Sequence, residues 1–246
     1  MVRLSPITAC NDCPIRYRAV CAECDADELA VLEQMKTYRS FDAGANLAEA
    51  GEDLDHFSSI VTGCATMSRT LEDGRRQTVG LLLPSDFIGR PGRGQSAFDV
   101  QALGPVTLCR FERHSFERLV RETPHIASRL MTMSLDELDA ARDWAVVLGR
   151  MTAREKLAAF LVSLARRLAQ GAGGHWPSGD VTMQLPLTRE ELADHLGLTI
   201  ETTSRQMTAL RKDGLIDLRP ARGISIPDFG ALCIEAGEDG DGGPIV

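Results

Sequence analysis

The sequence lacks the patterns that mark membrane proteins and the common enzyme classes. No apolar run is long enough to span a bilayer, and the start, MVRLSPITAC, has neither an apolar signal core nor a cleavage-like site. A G-x-G-x-x-G fingerprint, a P-loop and a nucleophile elbow are all absent, and the five His are scattered without metal-ligand spacing. We therefore expect a cytoplasmic protein that has no membrane partner and is not an enzyme.

A surplus of positive charge is also missing, since the formal net charge is -8. Affinity for nucleic acid depends largely on Lys and Arg that neutralise phosphates, so this value alone argues against DNA binding. A set of basic residues nevertheless lies between Arg150 and Arg222, whereas the final stretch EAGEDGDGGPIV is acidic. A local basic face is compatible with that distribution.

Cysteine, in contrast, is abundant near the start, where Cys10, Cys13, Cys21 and Cys24 lie within the run CNDCPIRYRAVCAEC. Thiols this close together, without a secretory signal, indicate ligands of a soft metal rather than disulfide partners. Two C-x2-C pairs could close a zinc site, although zinc ribbons usually separate their pairs by about 15 to 20 residues and here seven intervene. An iron-sulfur cluster is the other possibility, because it also takes four thiolates.

The next part of the chain has the pattern of a small β-protein. A short helix is predicted to begin at Asp25, with Glu28 completing its capping signal. From about Thr37 to Phe111, short β-prone stretches alternate with glycine-bearing turns. Many short strands at regular spacing predict a sandwich or roll.

A long helix is predicted from Pro124, with Thr123 as its N-cap, to Gly149. Small and apolar residues recur along it at alternating spacings of four and three, which is a heptad seam. Such a seam predicts pairing with the same helix of a second copy, and its Ala and Ser residues predict a marginal dimer. The alternative is packing on its own domain. The seam residues are Ala127, Met131, Ser134, Leu138, Ala141, Ala145 and Leu148.

The segment that follows Leu187 has the pattern of a helix-turn-helix. The capping box T-R-E-E opens a first helix, Gly197 supplies the turn, and Thr199 caps a second helix that ends near Lys212. Two strands around a basic turn follow, which predicts a winged variant, while an ordinary αα-corner beside a hairpin is the alternative. Arg, Glu and Ser near the start of the second helix can bond base edges. The candidate DNA-binding residues are Glu201, Thr202, Ser204, Arg205 and Arg211.

The helix-turn-helix segment resembles that of a known protein family. The string LTREELADHLGLTIETTSRQMTALRKDGLI resembles the winged helix-turn-helix of the CRP/FNR superfamily of bacterial regulators, and its E-T-T-S-R core is similar to the E-x-x-S-R of the oxygen-sensing FNR branch. PSDFIGRPGR resembles the FnrL subgroup of alphaproteobacteria, and AGANLAEAGE looks like the family's β-roll. The resemblance implies an α+β fold: a cyclic-nucleotide-binding-like β-roll sensor domain, a long dimerisation helix and a C-terminal winged helix-turn-helix.

Five segments are expected on this basis. They are a cysteine-rich cluster-binding segment at 1–24, the β-roll at 25–122, the dimerisation helix at 123–149, the winged helix-turn-helix at 150–230 and an acidic, disordered tail at 231–246.

By resemblance, Cys10, Cys13, Cys21 and Cys109 hold a 4Fe-4S cluster, with a 2Fe-2S cluster as an oxidised form and Cys24 as a spare or alternative ligand. The sequence leaves open whether Cys21 or Cys24 is the third N-terminal ligand, and zinc is the competing metal. No cyclic nucleotide is expected, because Arg-Pro follows the strand-ending glycine where cyclic-AMP binders have Glu-Leu.

The implied function is an oxygen-responsive transcription regulator. An intact cluster would join the cysteine segment to the β-roll and favour a homodimer, which binds palindromic promoter DNA with TTGAT-type half-sites and acts on RNA polymerase. The alternatives are a zinc-bound or cluster-free, FixK-like regulator of the same family and, in another class, an iron-sulfur redox enzyme.

Overall fold

The structure is a computed structural model that describes residues 9–171 and 176–238. The chain forms two compact units, residues 1–136 and 137–246. The first has the fold of a β-roll with helices, and the second is a helix-turn-helix unit, so the predicted fold class is confirmed. Across the described ranges, no helix has the length and apolarity needed to cross a bilayer.

Two antiparallel four-stranded sheets form the β-roll of the first unit. One sheet has the order β1-β8-β3-β6 and the other the order β2-β7-β4-β5. The strands are β1 (Lys36–Phe41), β2 (Asn46–Ala48), β3 (His56–Thr62), β4 (Ala65–Thr70), β5 (Arg76–Leu82), β6 (Phe87–Ile88), β7 (Asp99–Ala102) and β8 (Val106–Glu112).

Strand β8 separates two apolar cores, because successive side chains of a strand point to opposite faces. Leu108 and Ile60 belong to the core that also holds residues of the second sheet. Cys109 and Phe111 belong to the other core, which the cysteine segment and the neighbouring helices cover. The sheet is therefore buried on both faces.

Three helices contribute to that second core. Helix α1 (Ala26–Met35) begins at Asp25 with the reciprocal capping box to Glu28 that the sequence predicts. Helix α2 (Arg113–Glu122) follows β8 directly, and α3 (Pro124–Arg150) starts after Thr123. The predicted long helix is thus confirmed to within a residue at its C-terminal end.

The second unit contains the helix-turn-helix and a three-stranded wing of order β10-β11-β9. Its elements are α4 (Ala153–Gly171), β9 (Val181–Gln184), α5 (Arg189–Leu196), α6 (Ile200–Lys212), β10 (Asp217–Arg219), β11 (Gly223–Ile226) and α7 (Phe229–Glu235). The sequence predicts two of these strands and misses β9. Four residues are too few to show a clear period, and β9 is fixed by its pairing with β11.

The expectation of a disordered tail from residue 231 is wrong for residues 231–235, which belong to α7. Asp228 caps this helix, and Phe229 and Leu232 are buried within the unit. Beyond the helix, Glu238 forms an ion pair with the largely buried Arg166 of α4. Local apolar spacing and a cap therefore outweigh the acidic composition, while residues 239–246 lie outside the described part.

Candidate metal centre and nucleic-acid interface

Four cysteine side chains converge on one cavity beside the β-roll. Cys10, Cys13 and Cys21 come from the N-terminal segment, and Cys109 comes from the middle of β8. The walls between them are largely apolar and include Ile15, Ala19, Val20, Leu32 and Phe111. Residues that lie up to about a hundred positions apart in sequence thus form one site.

Short turns shape the cysteine segment, which we define as residues 10–24. Each C-x2-C pair closes a turn, with Cys13 N donating to Cys10 O at 3.2 Å and Cys24 N donating to Cys21 O at 3.2 Å. Between the pairs, a turn at Ile15 buries apolar side chains against the sheet. The segment is therefore held by its own backbone and by apolar burial.

Arg16 holds the C-terminal end of the cysteine segment against its middle. Its guanidinium donates to the carbonyl oxygens of Cys21, of Ala22 at 3.0 Å and of Cys24 at 2.8 Å. The same positive charge acts to lower the pKa values of the Cys21 and Cys24 thiols, although burial outweighs it. Arg16 thus supports the segment and favours the thiolate form that a metal requires.

Burial is the largest influence on the pKa values of the Cys10, Cys21 and Cys109 thiols. It raises the pKa of Cys21 to about 11 and raises those of Cys10 and Cys109 above the ordinary thiol value. The thiols also act on one another, since Cys13, Cys10 and Cys21 each raise the pKa of Cys109. Such thiols are protonated at neutral pH until a metal displaces their protons.

Cys24 occupies a different position. It is buried but is not part of the cavity wall, and burial followed by the charges of Cys21 and Glu28 raises its pKa to about 12. The geometry therefore brings Cys21, and not Cys24, together with Cys109, a choice that the sequence leaves open.

The spacing of the sulfurs differs from that of a closed tetrahedral zinc site. A tetrahedral zinc site with bonds of about 2.3 Å holds its sulfurs about 3.8 Å apart. Within residues 9–171 and 176–238, no three cysteine sulfurs lie within 4.8 Å of one another. A cluster distributes several iron atoms among its ligands and so takes more widely separated thiolates.

Helix α3 contacts the cysteine segment along one face. Arg129 Nη2 donates to Arg18 O at 2.6 Å, and Arg129 Nε donates to Ala19 O at 3.4 Å. Ile126 is fully buried in the core that contains the thiols, and Leu130 packs against it. A structural link therefore runs from the thiol cavity to α3.

A second link joins α3 to the helix that follows the cysteine segment. His125 Nδ1 lies 2.9 Å from the carboxylate oxygens of Glu28, and this hydrogen bond raises the pKa of His125. The contacts of Arg16 and Arg129 and the pair of His125 and Glu28 could not be predicted from the sequence. Their acceptors are backbone carbonyls or a carboxylate that is distant in sequence, and neither leaves a motif.

The predicted seam lies on the exposed part of α3. Met131, Ser134, Leu138, Ala141 and Ala145 are exposed, and Ala127 and Leu148 are half-buried. Met131 is 67% exposed and Leu138 is 44% exposed, which is unusual for large apolar residues of one helix. Leu135 and Val146 are also exposed beside the seam, and the heptad pattern does not include them.

The helix-turn-helix has the capping geometry that the sequence predicts. Thr188 and Glu191 form the capping box of α5, and Gly197 ends it with φ of 62°. Thr199 then caps α6 by accepting from Thr202 N at 3.2 Å. Thr203, Met207 and Leu210 form the buried face of α6, so that its opposite face points to solvent.

The candidate DNA-binding residues divide into groups along α6. Glu201, Ser204 and Arg205 are exposed near its N-terminus, and Thr202 is half-buried with its hydroxyl bonded to Thr199. Arg211 is exposed in the last turn. At 1.5 Å per residue, Arg211 lies about 9 Å along the helix from Arg205, so the two cannot share a base contact.

The wing adds basic groups to this surface. Ala221 and Arg222 have φ of 55° and 63°, a tight turn between β10 and β11 that leaves Arg219 and Arg222 exposed. Gly223 is required there, because a Cβ atom would come within 2.8 Å of the Arg219 Cβ.

The fold and this exposed helix define a DNA-binding protein that carries a β-roll regulatory domain. A model of the Crp-like helix-turn-helix domain matches residues 155–233, and a model of the cyclic nucleotide-binding domain matches residues 38–123. The chain belongs to the CRP/FNR family of transcription regulators.

Individual relatives agree with this assignment. The chain is 55% identical to the transcriptional activator protein FnrL of Cereibacter sphaeroides over 95% of its own length and 94% of that protein. It is 39% identical to the nitrogen fixation regulation protein FixK of Bradyrhizobium diazoefficiens, covering 89% and 90% of the two chains. The structure of FixK2 from Bradyrhizobium japonicum superposes with a TM-score of 0.75 at 29% identity, over 83% and 98% of the chains.

These relatives are transcription regulators and not enzymes, as the sequence predicts. The match to the cyclic nucleotide-binding domain describes the β-roll fold. The expectation that no cyclic nucleotide binds here stays a prediction, which depends on Arg90 following Gly89 at the end of β6.

Proposed function

We propose that the chain is an oxygen-responsive transcriptional activator of the FNR/FixK type, in which Cys10, Cys13, Cys21 and Cys109 hold a 4Fe-4S cluster. The observation that carries the proposal is the convergence of these four thiols on one buried cavity. The 55% identity to a transcriptional activator named FnrL supports it. The cluster would supply a centre that oxygen degrades, with a 2Fe-2S form as an oxidised product.

The residues around the thiols have separate tasks in this proposal. Arg16 closes the cysteine segment and offsets thiolate charge. Cys109 fastens that segment to the β-roll, since β8 is the central partner of β1 and β3. Arg129 then connects the fastened segment to α3. Loss of the thiol ligation would free the segment and remove the acceptors of Arg129.

Release of the cysteine segment would alter dimerisation through the exposed seam of α3. A seam that includes small residues such as Ala141 and Ala145 buries little apolar area, so the dimer and the separated monomers have nearly equal free energies. An equilibrium of that kind shifts with a few kcal/mol. An ordered cysteine segment therefore favours the homodimer, and a released segment favours monomers.

The dimer presents two α6 helices to double-stranded promoter DNA. A two-fold symmetric protein fits half-sites about 34 Å apart, one turn of the duplex. Arg205 suits guanine, Glu201 suits a cytosine amino group, and Ser204 can bond either way. The sequence resemblance implies TTGAT-type half-sites and contact with RNA polymerase, and both belong to this proposal, as does a cytoplasmic location.

Single Cys→Ser variants test the ligand set, with iron, acid-labile sulfide and the visible spectrum measured after anaerobic purification. We expect Cys10→Ser, Cys13→Ser, Cys21→Ser and Cys109→Ser to lose the cluster and Cys24→Ser to keep it. Cys24→Ser is the matched control, because its thiol is buried in the same segment. A cluster that survives Cys109→Ser but not Cys24→Ser would contradict the proposal.

A zinc-bound or cluster-free, FixK-like regulator is the second candidate. The 39% identity to a protein named FixK favours it. A colourless protein with one zinc per chain, or one that forms dimers equally with and without iron, would support this candidate instead.

A further inference from the structure

Two hydroxyl side chains flank Cys109 in the sheet. Tyr38 of β1 and Ser59 of β3 are both paired in register with Cys109, one on each side of β8. Residues opposite one another on antiparallel strands have Cβ atoms about 4.5 to 5.5 Å apart and point to the same face. Both residues also form part of the wall of the thiol cavity.

Neither hydroxyl forms a hydrogen bond of normal geometry with the residues that the structure describes. Tyr38 Oη and Ser59 Oγ are both buried, and Tyr38 lies beside the Cys13 thiol. Buried hydroxyls in folded proteins are nearly always bonded, and one that is not raises the free energy of the folded state. Two such groups, one on each side of Cys109 and both facing the thiol cavity, indicate that their partner enters with the metal group.

We propose that Tyr38 and Ser59 donate hydrogen bonds to sulfur of the bound cluster, either the Cys109 thiolate or inorganic sulfide, and thereby slow its loss in air. The inference rests on the proposed function. Hydrogen bonds to the sulfurs are one of the factors that set the reduction potential of an iron-sulfur centre. They withdraw electron density, so they raise the potential and make oxidation harder.

The chemistry of the cavity makes these two residues the natural candidates. The other non-cysteine side chains of its wall are apolar, for example Ile15, Val20 and Leu32. Tyr38 and Ser59 are therefore the side-chain donors of the wall. Their position on strands β1 and β3 also keeps them in place when the cysteine segment moves.

The variants Tyr38→Phe and Ser59→Ala remove each hydroxyl while retaining the rest of the side chain. We expect both variants, and the double variant, to hold the same iron and sulfide as the unchanged protein. Their midpoint potentials should fall, and the visible absorbance should decay in air about fivefold faster per hydroxyl, the factor that one ordinary hydrogen bond represents. The small shift of the iron-sulfur Raman bands in D2O should diminish.

The chain supplies matched controls. Tyr17 is its only other tyrosine and is 83% exposed, so Tyr17→Phe should leave the potential and the decay unchanged. Ser58 precedes Ser59 on β3 but is paired with Arg110, which places it on the opposite face. Ser58→Ala should likewise leave the potential and the decay unchanged.

Measurements on the cluster-free protein distinguish hydrogen bonding to the cluster from a purely structural role of Tyr38 and Ser59. Because the hydroxyls lack partners there, the double variant should unfold at the same temperature as the unchanged protein or at a higher one. A lower unfolding temperature would show partners within the protein and overturn the inference. Equal potentials, equal decay rates and equal D2O shifts in the loaded proteins would also overturn it. Failure of the unchanged protein to take up iron and sulfide would instead overturn the proposed function.

Discussion

Arg129 of α3 donates a 2.6 Å hydrogen bond to the carbonyl oxygen of Arg18, which lies in the chain between two of the candidate ligands, Cys13 and Cys21. Met131, two residues further along α3, is the first exposed residue of the seam. One turn of helix therefore carries both the contact to the cysteine segment and the start of the predicted seam. This proximity gives the proposed switch a short physical route.

Replacement of Arg129 by Gln should separate cluster binding from dimerisation. The thiols are untouched, so iron and sulfide content and the visible spectrum should not change. The anaerobic dimer constant should fall by about tenfold or more, since a hydrogen bond from a charged donor contributes roughly 1.5 to 3 kcal/mol. Sedimentation velocity of the loaded protein measures this change.

Arg121→Gln is the control, because Arg121 is an exposed arginine in the last turn of α2. Arg129→Lys should restore part of the dimer, since an ammonium group can still reach one carbonyl. An unaltered dimer fraction in Arg129→Gln would remove this residue from the route, and a colourless Arg129→Gln would mean that it supports ligation instead.

A larger apolar residue in the seam should make dimerisation independent of the cluster. Ala141→Leu or Ala145→Leu adds apolar area on both protomers, and each buried leucine contributes roughly 1.5 to 3 kcal/mol relative to exposure. We expect dimers in air by sedimentation velocity. Ala140→Leu is the control, because Ala140 is exposed but outside the heptad positions. Monomers in all three variants would count against the seam.

The pair of His125 and Glu28 should give the first unit a pH-dependent stability. Glu28 raises the pKa of His125 above the unfolded value of about 6.5. The contribution is therefore fully present below that pH and is lost as the pH rises through the folded pKa. The difference in unfolding temperature between the unchanged protein and His125→Gln should be largest near about pH 5.5 and shrink toward about pH 8.5.

His114→Gln removes an exposed histidine of α2 and provides the baseline for that comparison. If the difference between the unchanged protein and His125→Gln grew with rising pH, the assigned ion pair would be incorrect.

Arg205→Ala should reduce sequence discrimination. Loss of a bidentate contact to guanine costs about 1 to 3 kcal/mol at that base pair. Arg211→Ala, at the other end of α6, should instead weaken binding to all sequences equally and lower the salt dependence. Competition binding with single-base variants of the half-site measures both, and uniform weakening by Arg205→Ala would reassign it to phosphate.

Much of the fold follows from local sequence patterns. The caps at Asp25, Thr188 and Thr199 and the left-handed turn at Gly197 are short-range features, and the structure confirms each of them. Strand β9 and helix α7 were missed because each is short. Their stability comes from pairing with β11 and from packing within the second unit, which no local period reveals.

The site was predictable only in part. The spacing of Cys10, Cys13 and Cys21 indicates a metal, but the inclusion of Cys109 came from a family resemblance and not from spacing. Nothing in the sequence indicates Tyr38 and Ser59, because their place beside Cys109 depends on the strand order β1-β8-β3. When long-range strand pairing brings side chains together, their proximity can be recognised only once the fold is known.

The central claim is that a cluster on these thiols controls pairing of α3. The most direct test combines iron and sulfide analysis with sedimentation velocity on one anaerobic sample, repeated after exposure to air. The account predicts about four iron and four sulfide per chain and a dimer before air, then loss of both the absorbance and the dimer. A stable dimer that persists after the iron and sulfide are lost, or an anaerobic protein that contains neither, would contradict it.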